Sequence, residues 1–224
     1  MLLGHYGPAL ALAPEQRDSK LRLWHLFAAV QLMDICWSVL ISLGAEKVRV
    51  IPGFLAASPL DLYYMPFTHG LLGSLLISAV AGYLFSLYSK SSRDGLVIAV
   101  AVFSHWILDL VVHRPDLPLW GNSYKVGFGM WRSLPLTIVV ETLVYAIGVY
   151  LYSRRHAGWK RLVVVGVFTA ALQYGTLNAP PPPNNFVLAG MALFMYVLLC
   201  FVAVWVEPAD EQRPVLKRAA PASH

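Results

Sequence analysis

The chain has 224 residues, of which 58% are hydrophobic and only 13% charged, and its mean hydropathy is +0.60. This composition excludes an ordinary soluble domain and indicates a polytopic membrane protein. The net charge of +5 is divided among short polar segments, which excludes a nucleic-acid-binding surface. We predict an all-α fold in which residues 1–207 form one integral membrane helical domain and residues 208–224 form a polar, disordered tail.

The N-terminal segment is apolar but too short to cross a bilayer. The polar stretch 14–20 follows Leu2–Ala13 and predicts a hinge. Such a segment either lies on the membrane surface or enters it partway as a re-entrant helix. The pattern alone leaves both alternatives open.

Six later segments are long and apolar enough to cross about 30 Å of hydrocarbon. The sequence therefore predicts a helix bundle with about six transmembrane helices, near Trp24–Gly44, Phe67–Ser89, Gly95–Val112, Leu134–Tyr152, Arg161–Asn178 and Phe186–Val206. The second of these contains Gly70, Gly73 and Gly82, small residues that favour close helix packing.

Basic residues orient the predicted spans. With a cytoplasmic N-terminus, most of the 17 Lys and Arg residues fall inside, and those outside are Lys47, Arg49, Arg114, Lys125 and Arg132. Membrane proteins carry their excess of Lys and Arg in cytoplasmic loops. We therefore expect a multi-pass membrane protein with both termini in the cytoplasm.

Ionisable residues interrupt the third predicted span. His105, Asp109 and His113 follow one another at steps of four, which places them on one broad face of an α-helix. An Asp at the centre of a membrane helix costs roughly 2.5–3.5 kcal/mol on insertion scales, so such residues mark functional sites. The spacing indicates a metal ion, a proton or a buried partner.

Other polar residues fall at similar predicted depths. Asp34 lies within the first span, His69 at the start of the second and Glu141 in the fourth, and a re-entrant N-terminus would bring His5 near them. Such a set, with no thiolate, suits Zn²⁺ or alternatively Mn²⁺ or Fe²⁺.

Purely structural roles remain open for the same residues. Asp109 could only orient His105, Asp34 could serve helix packing, and Glu141 could pair with a surface arginine. His69 could be an ordinary capping residue, and His113 is as good a supporting group as a ligand. His25 and His156 lie beside basic residues at membrane edges, where a solvated role is expected.

Several motifs resemble a family of bacterial membrane-bound proteins described as metal-dependent hydrolases or permeases. They span most of the chain, from Gly4 to Val206, and comprise 4–6, 31–37, 66–69, 104–109, 113–118, 125–131 and the four prolines at 180–183. The resemblance implies a location in the bacterial inner membrane and a metal site formed by His5, Asp34, His69, His105 and Asp109. This chain departs from the family in having Gly70 where a serine usually follows the histidine, and Arg132 in place of an uncharged polar residue.

The leading hypothesis is a metal-dependent hydrolase that acts on a lipid-like or amphiphilic substrate in contact with membrane lipids. Asp109 or Glu141 would accept a proton during the reaction. The alternative is an accessory, non-catalytic subunit of a larger membrane protein complex, whose polar residues bond to one another or to pigment, lipid or haem.

Overall fold

A computed structural model of the chain describes residues 2–15 and 19–207, so the predicted tail at 208–224 lies outside the described residues. Within these residues, eight α-helices form most of the molecule. They are α1 (Tyr6–Ala11), α2 (Leu23–Val30), α3 (Leu32–Ser42), α4 (Leu71–Ser89), α5 (Ser92–Val112), α6 (Leu134–Ser153), α7 (Trp159–Gly175) and α8 (Asn185–Val206).

The helices bear out the membrane prediction in its coarse form. In the described part of the chain α4, α5, α6 and α8 are each long and apolar enough to cross a membrane. The bent pair α2–α3, with a 48° angle at its break, makes a fifth candidate if it is counted as one span.

The count of six is not confirmed, and α7 is the reason. This helix has 17 residues and ends at Gly175, where a 3-10 helix (Thr176–Asn178) begins. At 1.5 Å per residue it extends about 26 Å, less than the hydrocarbon thickness of about 30 Å.

Two antiparallel hairpins correct the all-α prediction. The first pairs β1 (Lys47–Leu55) with β2 (Ser58–Tyr64), and the second pairs β3 (Leu117–Trp120) with β4 (Ser123–Val126). Pro52 lies in β1 and Pro59 lies in β2. In a two-stranded sheet both strands are edges, and an edge strand tolerates a residue that has no N–H to donate.

The hairpins lie at the end of the bundle where α4 and α6 begin and α5 ends. The turn of the first hairpin is fixed there because the Ala57 N–H donates to the Trp131 carbonyl over 3.0 Å. Trp131 belongs to a second 3-10 helix, Met130–Arg132, immediately before α6. The loops at this end therefore form an ordered cover over the bundle.

Small residues bring two pairs of helices into close contact. The predicted packing surface of α4 is used against α5, since a Cβ placed on Gly82 would lie 2.7 Å from the Gly95 carbonyl oxygen. A similar contact joins α1 to α6, where a Cβ on Gly148 would lie 2.4 Å from the Gly7 carbonyl oxygen. The N-terminal segment thus folds back onto the bundle, and His5 at its start is fully buried.

Candidate metal centre

Imidazole nitrogens from three parts of the chain converge on two carboxylates beneath the hairpin cover. Helix α5 contributes His105 and Asp109, and α3 contributes Asp34. His69 lies just before α4, and the four ring and carboxylate groups meet where these helices cross. His5 reaches the Asp109 carboxylate from the N-terminal segment.

Four nitrogen–oxygen separations in this cluster match those between the ligands of a tetrahedral metal ion, and Asp34, His69 and His105 form one group whose donor atoms all lie within 4.8 Å of one another. The His69 Nε2 atom lies 3.2 Å from Asp34 Oδ1 and 3.5 Å from Asp109 Oδ2. The His105 Nε2 atom lies 3.1 Å from Asp109 Oδ2 and 3.5 Å from Asp34 Oδ1. Ligand atoms around a tetrahedral ion with bonds of about 2.1 Å are separated by about 3.4 Å.

The other ring nitrogen of His105 fixes the orientation of its imidazole. Its Nδ1 lies 2.6 Å from the carbonyl oxygen of Val30, the last residue of α2. A carbonyl only accepts hydrogen bonds, so Nδ1 carries the proton and Nε2 faces the cluster. Metal-binding histidines are usually held in this way. The same contact explains the bend at Gln31, because a side chain that bonds into the carbonyl ladder kinks a helix.

The imidazole of His69 is oriented by a chain of two residues. The Thr68 hydroxyl donates to Glu46 Oε2 over 2.6 Å, and its oxygen lies 2.8 Å from His69 Nδ1. Since the hydroxyl proton is used on Glu46, the His69 Nδ1–H donates to Thr68. The Nε2 atom of His69 is thereby left to face Asp34 and Asp109.

His113 is a fourth histidine of the cluster. Its Nε2 lies 3.7 Å from Asp109 Oδ2, and its Nδ1 lies 2.9 Å from Asp116 Oδ1. Asp116 in turn accepts from Arg114, which also contacts Asp61 in β2. The network links the cluster to the first hairpin. His113 is arranged like His69 and His105, with one ring nitrogen facing Asp109 and the other held by a hydrogen-bonding partner.

Buried nitrogens without hydrogen bonds show that the donor set fits a cation. In the described part of the chain, Nε2 of His105 and both ring nitrogens of His5 are buried and form no well-aligned hydrogen bond. Buried polar groups are rarely left in this state unless an ion or water completes them. The site lies beside carboxylates and contains imidazole donors, the combination that Zn²⁺ and related ions bind.

A cavity of about 210 Å³ leads from the hairpin cover to these residues. Asp34, His69, Asp109 and His113 are among the residues that line it. The hydroxyl of Tyr196 in α8 also borders the cavity and donates to Asp34 Oδ2 over 2.9 Å. Apolar side chains complete its wall, including those of Leu2, Trp37, Leu60, Leu62, Trp131 and Leu177.

Glu141 contacts the N-terminal segment. Its carboxylate accepts hydrogen bonds from Gln173 Nε2 at 3.0 Å and 3.1 Å and from the Gly4 N–H at 3.4 Å. The Gln173 Oε1 atom accepts from the Leu3 N–H at 3.1 Å. These contacts indicate that Glu141 and Gln173 hold the backbone that carries His5, and a proton-accepting role for Glu141 stays a prediction.

The two histidines that sequence reasoning set aside lie away from the cluster. His25 accepts a hydrogen bond from the Arg22 N–H and packs against Trp24 and Phe85. His156 stacks on Tyr152. They therefore serve as natural controls for the cluster histidines.

Thr68→Val should weaken metal binding about 10- to 100-fold, the usual cost of losing a residue that orients a ligand. Valine keeps the shape of threonine but removes the hydroxyl between His69 and Glu46. Competition with a chelator of known affinity measures the change. The matched control is Thr142→Val, at an exposed position on α6, which should leave the affinity unchanged. Equal affinities in the two variants would contradict the role given to Thr68.

Comparisons with family models, curated proteins and solved structures give no match for this chain. The resemblance to membrane-bound hydrolases therefore stays a prediction, and the chemistry of the site has to be argued from its own residues.

Proposed function

We propose that this chain is a metal-dependent membrane hydrolase that acts on a lipid-like or amphiphilic substrate. One observation carries the proposal. Imidazole nitrogens of His69 and His105 lie 3.1–3.5 Å from carboxylate oxygens of Asp34 and Asp109, and three of these residues, His69, Asp34 and Asp109, line a cavity. A purely structural polar cluster would have no need of a cavity that reaches its donor atoms.

The metal ion and the two carboxylates of the cluster would have different roles in such a reaction. A divalent ion, Zn²⁺ or alternatively Mn²⁺ or Fe²⁺, supplies Lewis-acid polarisation and lowers the pKa of water. Asp34 and Asp109 both line the cavity, and the Asp34 side chain is the more exposed of the two, at 19% against 2%. Asp34 is thus the better exposed of the two carboxylates to receive the proton of the attacking water, and the proton-accepting role predicted for Asp109 stays a prediction.

The lining of the cavity supports an amphiphilic substrate. Its lining combines the polar side chains of Asp34, His69, Asp109 and His113 with tryptophan and leucine side chains. A polar headgroup could therefore meet the carboxylates while an apolar portion lies against the wall. The surrounding helices expose many large apolar side chains, as expected for contact with membrane lipids.

Hydrolysis by the purified full-length protein in mixed detergent micelles tests the proposal. Suitable probes are p-nitrophenyl laurate, a carboxylic ester, and bis-p-nitrophenyl phosphate, a phosphodiester. We expect chelation to abolish turnover of one probe and Zn²⁺ to restore it. Asp34→Asn should lower the rate about 100-fold or more, a typical effect for proton transfer.

Asp94→Asn is the matched control for Asp34→Asn. Asp94 lies at the opposite end of the bundle, where it accepts from the Ser19 hydroxyl. Turnover that survives both chelation and Asp34→Asn would contradict the proposal. Metal-free protein that purifies only within a large complex would instead favour the accessory-subunit alternative.

We infer that the cavity opens on the outer side of the bacterial inner membrane. Among the described residues, the basic residues at the hairpin end are Lys47, Arg49, Arg114, Lys125 and Arg132. The other described Lys and Arg residues are more numerous, and they lie at the opposite end of the bundle. The cytoplasmic location of both termini depends on residues outside the described ranges as well. In intact cells, the variant Asn122→Cys should react with a membrane-impermeant thiol reagent, whereas Arg93→Cys should not. Reaction of Arg93→Cys alone would reverse the orientation.

A further inference from the structure

Two histidines of the cluster have ring planes that exclude a shared ion. The imidazoles of His5 and His105 are stacked with centroids 3.8 Å apart and an interplanar angle of 4°. An imidazole binds a metal ion in the plane of its ring, along the lone pair of the nitrogen. An ion in the plane of His105 would lie more than about 3 Å outside the plane of His5, while a metal–nitrogen bond is only about 2.1 Å long.

Proximity of donor atoms alone does not reveal this restriction. The reactive nitrogens of His5 and His105 and a carboxylate oxygen of Asp109 lie within 4.8 Å of one another, as do donor atoms of Asp34, His69 and His105. The second set is compatible with one ion, because the rings of His69 and His105 are inclined at 68°. The first set is not, since its two rings are parallel.

Asp109 divides its two oxygens between the stacked histidines. The His105 Nε2 atom approaches Oδ2 at 3.1 Å, whereas the His5 Nε2 atom approaches Oδ1 at 3.2 Å. A carboxylate that presents different oxygens to different nitrogen donors is suited to bridge two ions. In two-metal sites the ions are about 3.5–4 Å apart, close to the spacing of the stacked rings.

The state of the His5 nitrogens argues against a simple hydrogen bond to Asp109. His5 is fully buried, and neither of its ring nitrogens forms a well-aligned hydrogen bond in the described part of the chain. A histidine that only oriented Asp109 would point an N–H at the carboxylate. A cation between Nε2 and Oδ1 accounts for both the short separation and the poor alignment.

We propose that His5 and Asp109 Oδ1 hold a second divalent cation beside the one bound by His69, His105, Asp34 and Asp109 Oδ2. This inference rests on the proposed metal site and extends it to two ions. With only two protein ligands, the second position binds its ion more weakly than the first. Its remaining coordination positions are available to water or to oxygen atoms of a substrate.

Titration of the metal-free, full-length protein with Mn²⁺ tests the proposal, with bound metal measured by mass spectrometry after rapid desalting. We expect one tightly bound and one more weakly bound ion per chain. Binding of the second should reduce the six-line electron paramagnetic resonance signal of the first, because Asp109 couples the two spins. His5→Ala and the closer-fitting His5→Gln should retain one tight ion and an uncoupled signal.

His25→Ala is the control, and it should bind two ions with the coupled signal. A single ion in the wild type would overturn the second position and leave the proposed hydrolase site standing. No ion in folded wild-type protein would overturn both. Two ions bound to folded His5→Ala would also overturn the assignment, because His5 would then be a ligand of neither ion. Loss of both ions from folded His5→Ala would overturn it as well, because His5 would then be needed for the first ion.

Discussion

His105→Ala should abolish retention of metal by the purified protein. His105 contacts both central carboxylates through Nε2, so its loss removes one ligand and a support for Asp34 and Asp109. Removal of a group that only orients a ligand costs about 10–100-fold in affinity, and loss of the ligand itself should exceed this range. Elemental analysis after gel filtration in mild detergent gives the bound metal directly. We expect Asp109→Ala to have the same effect.

The controls for this prediction are His25→Ala and His156→Ala, which remove histidines outside the cluster. Both should retain the full metal content. Circular dichroism and the elution volume show whether each variant is folded. A folded His105→Ala protein that kept its metal would contradict the site described above, and wild-type protein that never held metal would make the cluster purely structural.

Gly148→Val should displace the N-terminal segment from the bundle. A Cβ at position 148 would lie 2.4 Å from the carbonyl oxygen and 2.7 Å from the Cα of Gly7, and these backbone atoms cannot rotate away. Relief requires α1 to separate from α6 and His5 to leave Asp109. Because buried segments open rarely, we expect the labelling rate of a cysteine at Leu10 to rise at least about tenfold.

Labelling is measured with an aqueous thiol reagent in a chain whose native Cys36 and Cys200 are replaced by alanine. Gly190→Val is the matched control, since a Cβ on Gly190 of α8 meets no atom within 4 Å. It should leave Leu10→Cys protected. Uniform labelling of cysteines along positions 3–13 in the otherwise unchanged chain would show that the segment is not folded back at all.

Residues on one helix were the part of the site that the sequence could predict. The spacing of His105, Asp109 and His113 places them on one face whatever the tertiary structure, and all three do face the cluster. Asp34 and His69 could be grouped with them only by predicted depth. The structure brings His69 to 3.2 Å from Asp34 Oδ1 and so supports that grouping.

The supporting residues could not be predicted, because their roles depend on contacts between distant segments. Glu46 reaches His69 through Thr68, and Tyr196 reaches Asp34 from α8, without any local pattern that marks them. Hydropathy likewise missed the first hairpin, since its apolar residues resemble those of a membrane loop. It also treated α2 and α3 as one continuous span, because no proline or glycine marks the break at Gln31.

The break at Gln31 joins the shape of a span to the state of the metal centre. The last carbonyls of a helix have no partner within it, and His105 supplies one to Val30 at the end of α2. By thermodynamic linkage, whatever stabilises the ligand-bearing orientation of His105 stabilises the bent form of α2–α3 by the same free energy. A metal ion bound by His105 would therefore favour the bent form of α2–α3, whereas a lipid environment that prefers a straight span would oppose metal binding. We accordingly expect the fraction of protein that binds metal to depend on bilayer thickness.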